Sequence, residues 1–214
     1  MLAAYTMAVV NELADVRGLL VNDHDKTLPD IGFDVVPYTP GAVWLPDALN
    51  QLILAVVALR IFLGPQRKRV ACAFMNLHMT LMLMRCLCLP FTTFPAASPA
   101  CHGKYMARPD HILIVPIKRM LHSGGLSSWC HDLLFSGHAV LFVIAALFLH
   151  DAAGELWWRA VGWLTCVAGC LLLVSTRQHY TADVIVAILV SVLVYGRWRP
   201  EILELYRVEP GRFD

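Results

Sequence analysis

The sequence predicts an all-α protein, a polytopic membrane helix bundle with five spanning helices and no separate soluble domain. Three observations carry this. Hydrophobic residues fill 58% of the 214 positions and charged residues only 15%, against roughly 25% charged in ordinary soluble domains. The apolar residues gather in runs close to the roughly 20 residues that cross a hydrocarbon core. These runs follow one another with little chain between them, which leaves no room for a second domain. Helices are expected over strands because only helices and closed barrels satisfy the backbone in lipid, and strands of this length are rare.

Taken in order, residues 1–22 carry Asn11, Glu12, Asp15 and Arg17 within an otherwise apolar stretch. That is too polar for a cheap span and lacks the basic start of a secretory signal, so it predicts an amphipathic, interfacial helix. Residues 23–43, rich in Asp, Pro and Gly, predict a loop outside the membrane. Spanning helices are expected at residues 44–63, 70–89, 133–149, 156–174 and 182–198, with a long loop over residues 90–132. The chain thus divides into an N-terminal segment and non-cytosolic loop (1–43), a transmembrane catalytic bundle (44–198) and a cytosolic tail (199–214).

Basic residues in short loops set the orientation. The turn "GPQRKRV" carries Arg67, Lys68 and Arg69 and is expected in the cytosol. Alternation then puts Arg159, Arg197 and Arg199 on the same side. A formal net charge of +1 gives no electrostatic footprint for nucleic acid. The seven cysteines lack paired CxxC spacing, so neither a zinc site nor a secreted disulfide scaffold is indicated. No metal or other cofactor is expected.

Two stretches place chemistry at the membrane surface. In "DLLFSGHAVLFVIAALFLH" a Ser-Gly-His stands at the mouth of an apolar run, and in "STRQHYTADVIVAILV" His179 precedes Asp183 by four residues. A helix starting there would put both on one face, so that the carboxylate accepts the imidazole N–H. Between His138 and His179 the chain crosses the membrane twice and returns to the side it left. Both histidines are therefore expected at one surface. Helix N-termini favour an anion at such a mouth. Gly137 would let a ligand approach the backbone, Ser136 and Arg177 would donate to phosphoryl oxygens, and Arg85, on a helical face with His78, would either touch phosphate or substrate or else snorkel or face the bundle. One histidine can attack phosphorus while the other shuttles a proton. Asp132 would bind the head group or cap the helix from Leu133 onward.

"SGH" followed by "HYTAD" resembles the catalytic motifs of the type 2 phosphatidic acid phosphatase superfamily, in particular its sphingomyelin synthase and inositol phosphorylceramide synthase branch. "LPDIGFD" (28–34) and "MRCLCLPFTTFP" (84–95) are similar to two further motifs of that branch, in the same order. The family usually has six membrane helices, and this chain shows five. The resemblance implies a sphingolipid synthase that moves a phosphorylated head group from a glycerophospholipid to the primary hydroxyl of ceramide, leaving diacylglycerol. His179 would be the nucleophile forming a phospho-histidine, Asp183 its orienting base and His138 the proton shuttle. It leaves open whether the donor carries choline, inositol or ethanolamine and whether the protein is a homo-oligomer. It implies a Golgi or plasma-membrane protein with its site facing the lumen or exterior, where Cys101 and Cys130 are candidates for a disulfide. The lipid phosphatases of the superfamily, the alternative, carry more fixed cations: here Lys104 lies too close to Arg108-Pro109, and Arg177 stands only two residues before His179. Fewer cations suit a phosphodiester, so transfer is favoured over hydrolysis.

Overall fold

The computed structural model describes residues 2–21, 27–92, 94–99, 133–152 and 155–207. These form seven α-helices: α1 (Leu2–Val21), α2 (Ile31–Val35), α3 (Leu45–Leu63), α4 (Arg67–Cys88), α5 (Gly137–Ala152), α6 (Leu156–Ser175) and α7 (Thr181–Arg207), with a 3-10 turn at Pro40–Ala42. No strand occurs among the described residues. Cys101, Cys130 and Asp132, on which sequence expectations fell, lie outside them.

Among the described residues, four helices are long and apolar enough to cross a membrane: those at Pro40–Leu63, Arg67–Cys88, Leu156–Ser175 and Thr181–Leu205. The protein is an integral membrane protein. Their outer faces carry exposed Leu59, Leu164, Val167, Leu171, Leu189 and Leu193, a belt that water would not tolerate and hydrocarbon does.

The remaining apolar helix, α5, departs from expectation. It has 16 residues, roughly 24 Å at 1.5 Å per residue, shorter than the roughly 30 Å hydrocarbon core. The expected start at residue 133 is wrong by four positions, because the helix begins at Gly137. Its place in the bundle explains how a short helix is tolerated. α5 packs against α3, α4, α6 and α7, and ten of its sixteen residues are buried, among them Phe142, Phe148 and Leu149, so it has little contact with lipid. α6 crosses it closely at two glycines: a Cβ on Gly169 would come within 2.6 Å of the Phe142 ring, and one on Gly162 within 3.1 Å of the Ala146 backbone.

The far end of α5 is tied down by charge. Asp151 accepts two bonds from Arg199 (2.7 and 3.0 Å) and one from the Tyr195 hydroxyl (3.1 Å), and Arg60 of α3 donates to the Ala152 carbonyl. Arg199 therefore belongs to α7, which runs through Pro200 to Arg207; the expected boundary at residue 198 falls inside a helix. At the other end α1 lies on α4. Asn11 and Glu12, expected at an interface with water, are buried at 4% and 2% exposure. Asn11 Oδ1 lies 3.5 Å from Nη1 of the buried Arg85 of α4.

Candidate active site

Two helix starts form the site, and each is shaped by the loop before it. After α6 the backbone turns at Arg177, whose φ of 57° is the left-handed conformation rarely adopted by non-glycine residues. The segment from there to α7 is pinned against residues 28–43. Arg177 Nη2 donates to the carbonyls of Phe33 (2.7 Å) and Val36 (3.1 Å), and its guanidinium lies 4.0 Å over the Phe33 ring. Gln178 donates to the Val43 carbonyl at 2.6 Å. The Tyr180 hydroxyl donates to the Pro95 carbonyl (3.0 Å), accepts from the Leu28 N–H (3.1 Å), and its ring stacks on Phe33.

Asp30 completes this clamp. One oxygen accepts from the Gly32 N–H (2.8 Å) and the Thr181 hydroxyl (2.6 Å), the other from the Thr181 N–H (2.7 Å), so one carboxylate caps both α2 and α7. Burial pushes its pKa up, but the bonds from Thr181, Gly32 and Phe33 outweigh burial and hold it below the ordinary 3.8. Gly32 is required by close approach, since a Cβ there would collide with the Thr181 hydroxyl. The motif at residues 28–34 is thus a strap across the start of α7.

His179 lies in the turn before α7, two residues ahead of Thr181. The expectation that it shares a helical face with Asp183 is therefore corrected, although the pair still meets. Asp183, in the first turn, folds back so that Oδ2 accepts from the Tyr180 N–H at 3.0 Å, one half of a capping box. The same oxygen stands 3.7 Å from His179 Nδ1, too far for a hydrogen bond. His179 Nδ1 is buried without a hydrogen-bond partner.

The start of α5 is built differently. Phe135 takes φ 33°, and its carbonyl accepts from the buried Arg85 Nε at 2.8 Å, while Arg85 Nη1 reaches Asn11 Oδ1 at 3.5 Å. Ser136 caps the helix by accepting from the Ala139 N–H (3.2 Å), and its own N–H donates to the Asp183 carbonyl (3.3 Å), which joins the two helix mouths. His138 follows in the first turn, with Nε2 2.6 Å from Asp47 Oδ1. The two imidazole rings stand 6.4 Å apart, centroid to centroid.

The structure thus gathers His138, His179 and Asp183 and gives the other expected residues tasks of their own. Arg177 holds the strap. Ser136, fully buried, is the helix cap that Asp132 was a candidate for. Gly137 faces the Arg85 side chain, where a ligand was expected, a Cβ built on it coming 3.7 Å from the guanidinium, and Arg85 supports the backbone of Phe135. Sequence reasoning missed Asp47 altogether. Its signal was there: "LPD" occurs at residues 28–30 and again at 45–47, the second time placing a carboxylate in the first turn of a spanning helix on the side of the histidines.

Chemically, the gap between the rings admits one reacting phosphorus with an attacking atom on one side and a departing atom on the other, since each needs an approach of roughly 3 Å. Each histidine has a carboxylate beside it: Asp47 holds His138 Nε2 at 2.6 Å and so orients that ring, while Asp183 faces His179 Nδ1 at 3.7 Å.

Residues 129–200 match the family described as PAP2 superfamily C-terminal, a span that contains both histidines and Asp183. The chain is 33% identical over 174 residues to phosphatidylcholine:ceramide cholinephosphotransferase 2 of Rattus norvegicus and 31% identical to that of Homo sapiens, in each case over 75% of this chain and 46% of the relative. It is 26% identical over 181 residues to phosphatidylcholine:ceramide cholinephosphotransferase 1 of Homo sapiens, covering 78% of this chain and 43% of that protein. The chain spans about half the length of the relatives it matches. With the order of the motifs and these identities in agreement, the chain carries a PAP2 superfamily C-terminal domain over residues 129–200 and is related, over three quarters of its length, to the phosphatidylcholine:ceramide cholinephosphotransferases.

Proposed function

We propose that this site transfers a phosphorylated head group from a glycerophospholipid to the primary hydroxyl of ceramide and releases diacylglycerol. The observation that carries the reading is the pair of histidines 6.4 Å apart, each beside its own carboxylate, at the mouth of an apolar bundle. In the first half His179 Nε2 attacks phosphorus, the bond from phosphorus to the diacylglycerol oxygen breaks, and protonated His138 gives its proton to that oxygen. In the second half His138 takes the proton of the ceramide hydroxyl as its oxygen attacks phosphorus and the bond to His179 breaks. Asp47 occupies His138 Nε2, which leaves Nδ1 to exchange the proton and stabilises the imidazolium formed. Asp183 faces His179 Nδ1 and leaves Nε2 for phosphorus.

Choline is the head group named for the relatives and the first to test, with inositol and ethanolamine as the other donors. Hydrolysis of a phosphomonoester is disfavoured, because Arg177 is engaged by the Phe33 and Val36 carbonyls and so adds no cation beside a doubly charged phosphate. The basic turn at Arg67–Arg69 supports an orientation with that end in the cytosol and the histidines facing the lumen or exterior of the Golgi or plasma membrane. Membranes holding the protein, given ceramide and a panel of donors labelled in the head group, are expected to yield labelled sphingolipid. Label released as a water-soluble phosphate would identify a phosphatase, and no conversion of any donor would reject the transfer reading.

A further inference from the structure

At the end of the bundle away from the histidines, α3 and α4 enclose an open groove of about 390 Å³. Its floor holds the buried Val57 and Phe74, its rim the exposed Phe62 and Met75. Along α3 the groove is lined from Leu54 to Phe62, seven to fifteen residues or roughly 10–22 Å beyond Asp47, and none of its lining residues belongs to the site. The groove is therefore separate from the histidines. Arg67 and Lys68 stand at its mouth and also line an adjoining hollow of about 490 Å³ around the turn at residues 64–69. No acidic residue occupies the first turn of α4, and the Arg67 guanidinium lies 5.3 Å over the Phe62 ring, at the boundary between apolar wall and charged mouth.

We propose that this groove binds an anionic glycerophospholipid, with one acyl chain against Val57 and Phe74 and the charged head group on Arg67 and Lys68. The apolar floor faces hydrocarbon in a membrane protein and is suited to an acyl chain of any phospholipid. The cations at the mouth select the head group. A zwitterionic lipid presents balanced charge there, whereas an anionic lipid presents net negative charge to two exposed cations with no acid in that turn to compete. A basic side chain near an anionic lipid surface gives about a five-fold preference, so two of them exceed what the groove alone would give.

The test uses the whole chain, purified in detergent and incubated with equimolar phosphatidylserine and phosphatidylcholine of identical acyl chains, with bound lipids counted by native mass spectrometry. Phosphatidylserine adducts are expected in at least about five-fold excess. The double variant Arg67→Gln/Lys68→Gln is expected to bring the ratio near one. Ala71→Phe, which fills the groove and keeps both cations, is expected to remove the excess as well, with far-UV circular dichroism confirming that each variant is folded. Soluble glycerophosphoserine is expected to leave the adducts in place, because it lacks the acyl chain. A ratio near one in the unsubstituted protein overturns the proposal, as does an excess that survives either variant or is displaced by glycerophosphoserine. The deciding quantity is the change in ratio between the parent protein and each variant, to which any lipid held at the histidines contributes equally, so this proposal and the proposed function fail separately.

Discussion

The two histidine-bearing helix starts differ in how they are held. His179 is 6% exposed and Asp183 2%, in a turn pinned by Arg177, Gln178, Tyr180 and Asp30 to the strap at residues 28–43. His138 sits in the first turn of α5 with its side chain 31% exposed, and its partner Asp47, 39% exposed, comes from another helix. The immobile histidine suits the role of nucleophile, which has to meet phosphorus along a fixed line. The exposed one suits a proton shuttle, which serves two different oxygens in turn. Both owe their place to the backbone link between Ser136 and the Asp183 carbonyl.

Substitutions at the two starts should show this difference in size and in kind. His179→Ala is expected to abolish transfer and donor cleavage together, since no phosphoryl-enzyme can form; a labelled donor that is still cleaved would assign the nucleophile elsewhere. His138→Ala is expected to slow transfer by about 10²–10⁴-fold, the usual worth of acid–base assistance. It keeps the nucleophile, so a donor with a good leaving group should still load His179, and rapid-quench mass spectrometry of the variant would locate the phosphoryl group.

The carboxylates sharpen the comparison. Asp47→Asn is expected to cost about 10²-fold, the lower end of the same range, because His138 loses the charge beside its imidazolium and keeps its position. The loss should appear in kcat with KM little changed, and an unchanged kcat would remove Asp47 from the mechanism. At the other mouth Asp183 has two tasks. Asp183→Asn keeps an oxygen for the Tyr180 N–H and loses the charge, so thermal unfolding should move little while activity falls; Asp183→Ala should lower both, the helix cap being worth about 1 kcal/mol.

Asp30 tests the strap. Asp30→Ala removes the cap shared by α2 and α7 and is expected to cost about 1–2 kcal/mol of stability, read by thermal unfolding in detergent. Because its folded pKa lies below the ordinary 3.8, this contribution is fully present above that value and is lost as pH falls through the folded pKa. The gap between the parent protein and Asp30→Ala should therefore be constant from neutral pH down to about 5 and close below about 4. A gap that closes in the neutral range would assign the effect to another group. The smallest effect is expected at Gly137→Ala, where an added Cβ meets only the Arg85 guanidinium at ordinary contact distance and the substitution is neutral or stabilising by up to about 1 kcal/mol. A large loss of activity there with normal unfolding would mean that substrate, and not Arg85 alone, approaches this backbone.

Much of this was legible in the sequence because it depends on chain direction and composition. Three of the five expected spans fall within three residues of observed helices at both ends, as apolar runs near 20 residues have no cheaper conformation in lipid. The two crossings between His138 and His179 place them at one surface by counting alone. Local rules misled where the first helical residue mattered. A spacing of four suggested a shared helical face for His179 and Asp183, yet α7 begins after His179, and the pair meets because Asp183 folds back on the Tyr180 N–H. The start of α5 was misjudged likewise, since Leu133 and Phe135 are as apolar as the helix they precede.

What the sequence by itself determined is the bundle, its apolar spans, and the presence of two histidines and a carboxylate at one end, because hydropathy and topology are properties of the chain read in order. What only the tertiary structure decided is which polar groups serve whom. Arg177 and Arg85 are cations that any reading of a phosphate site would claim, and the fold engages both with backbone carbonyls, Arg85 with that of Phe135 and Arg177 with those of Phe33 and Val36. Asp47, unremarked in the sequence, stands 2.6 Å from His138 because α3 packs against α5. Hydrogen bonds act over about 3 Å, and partners separated by 91 residues become neighbours only when the helices have packed.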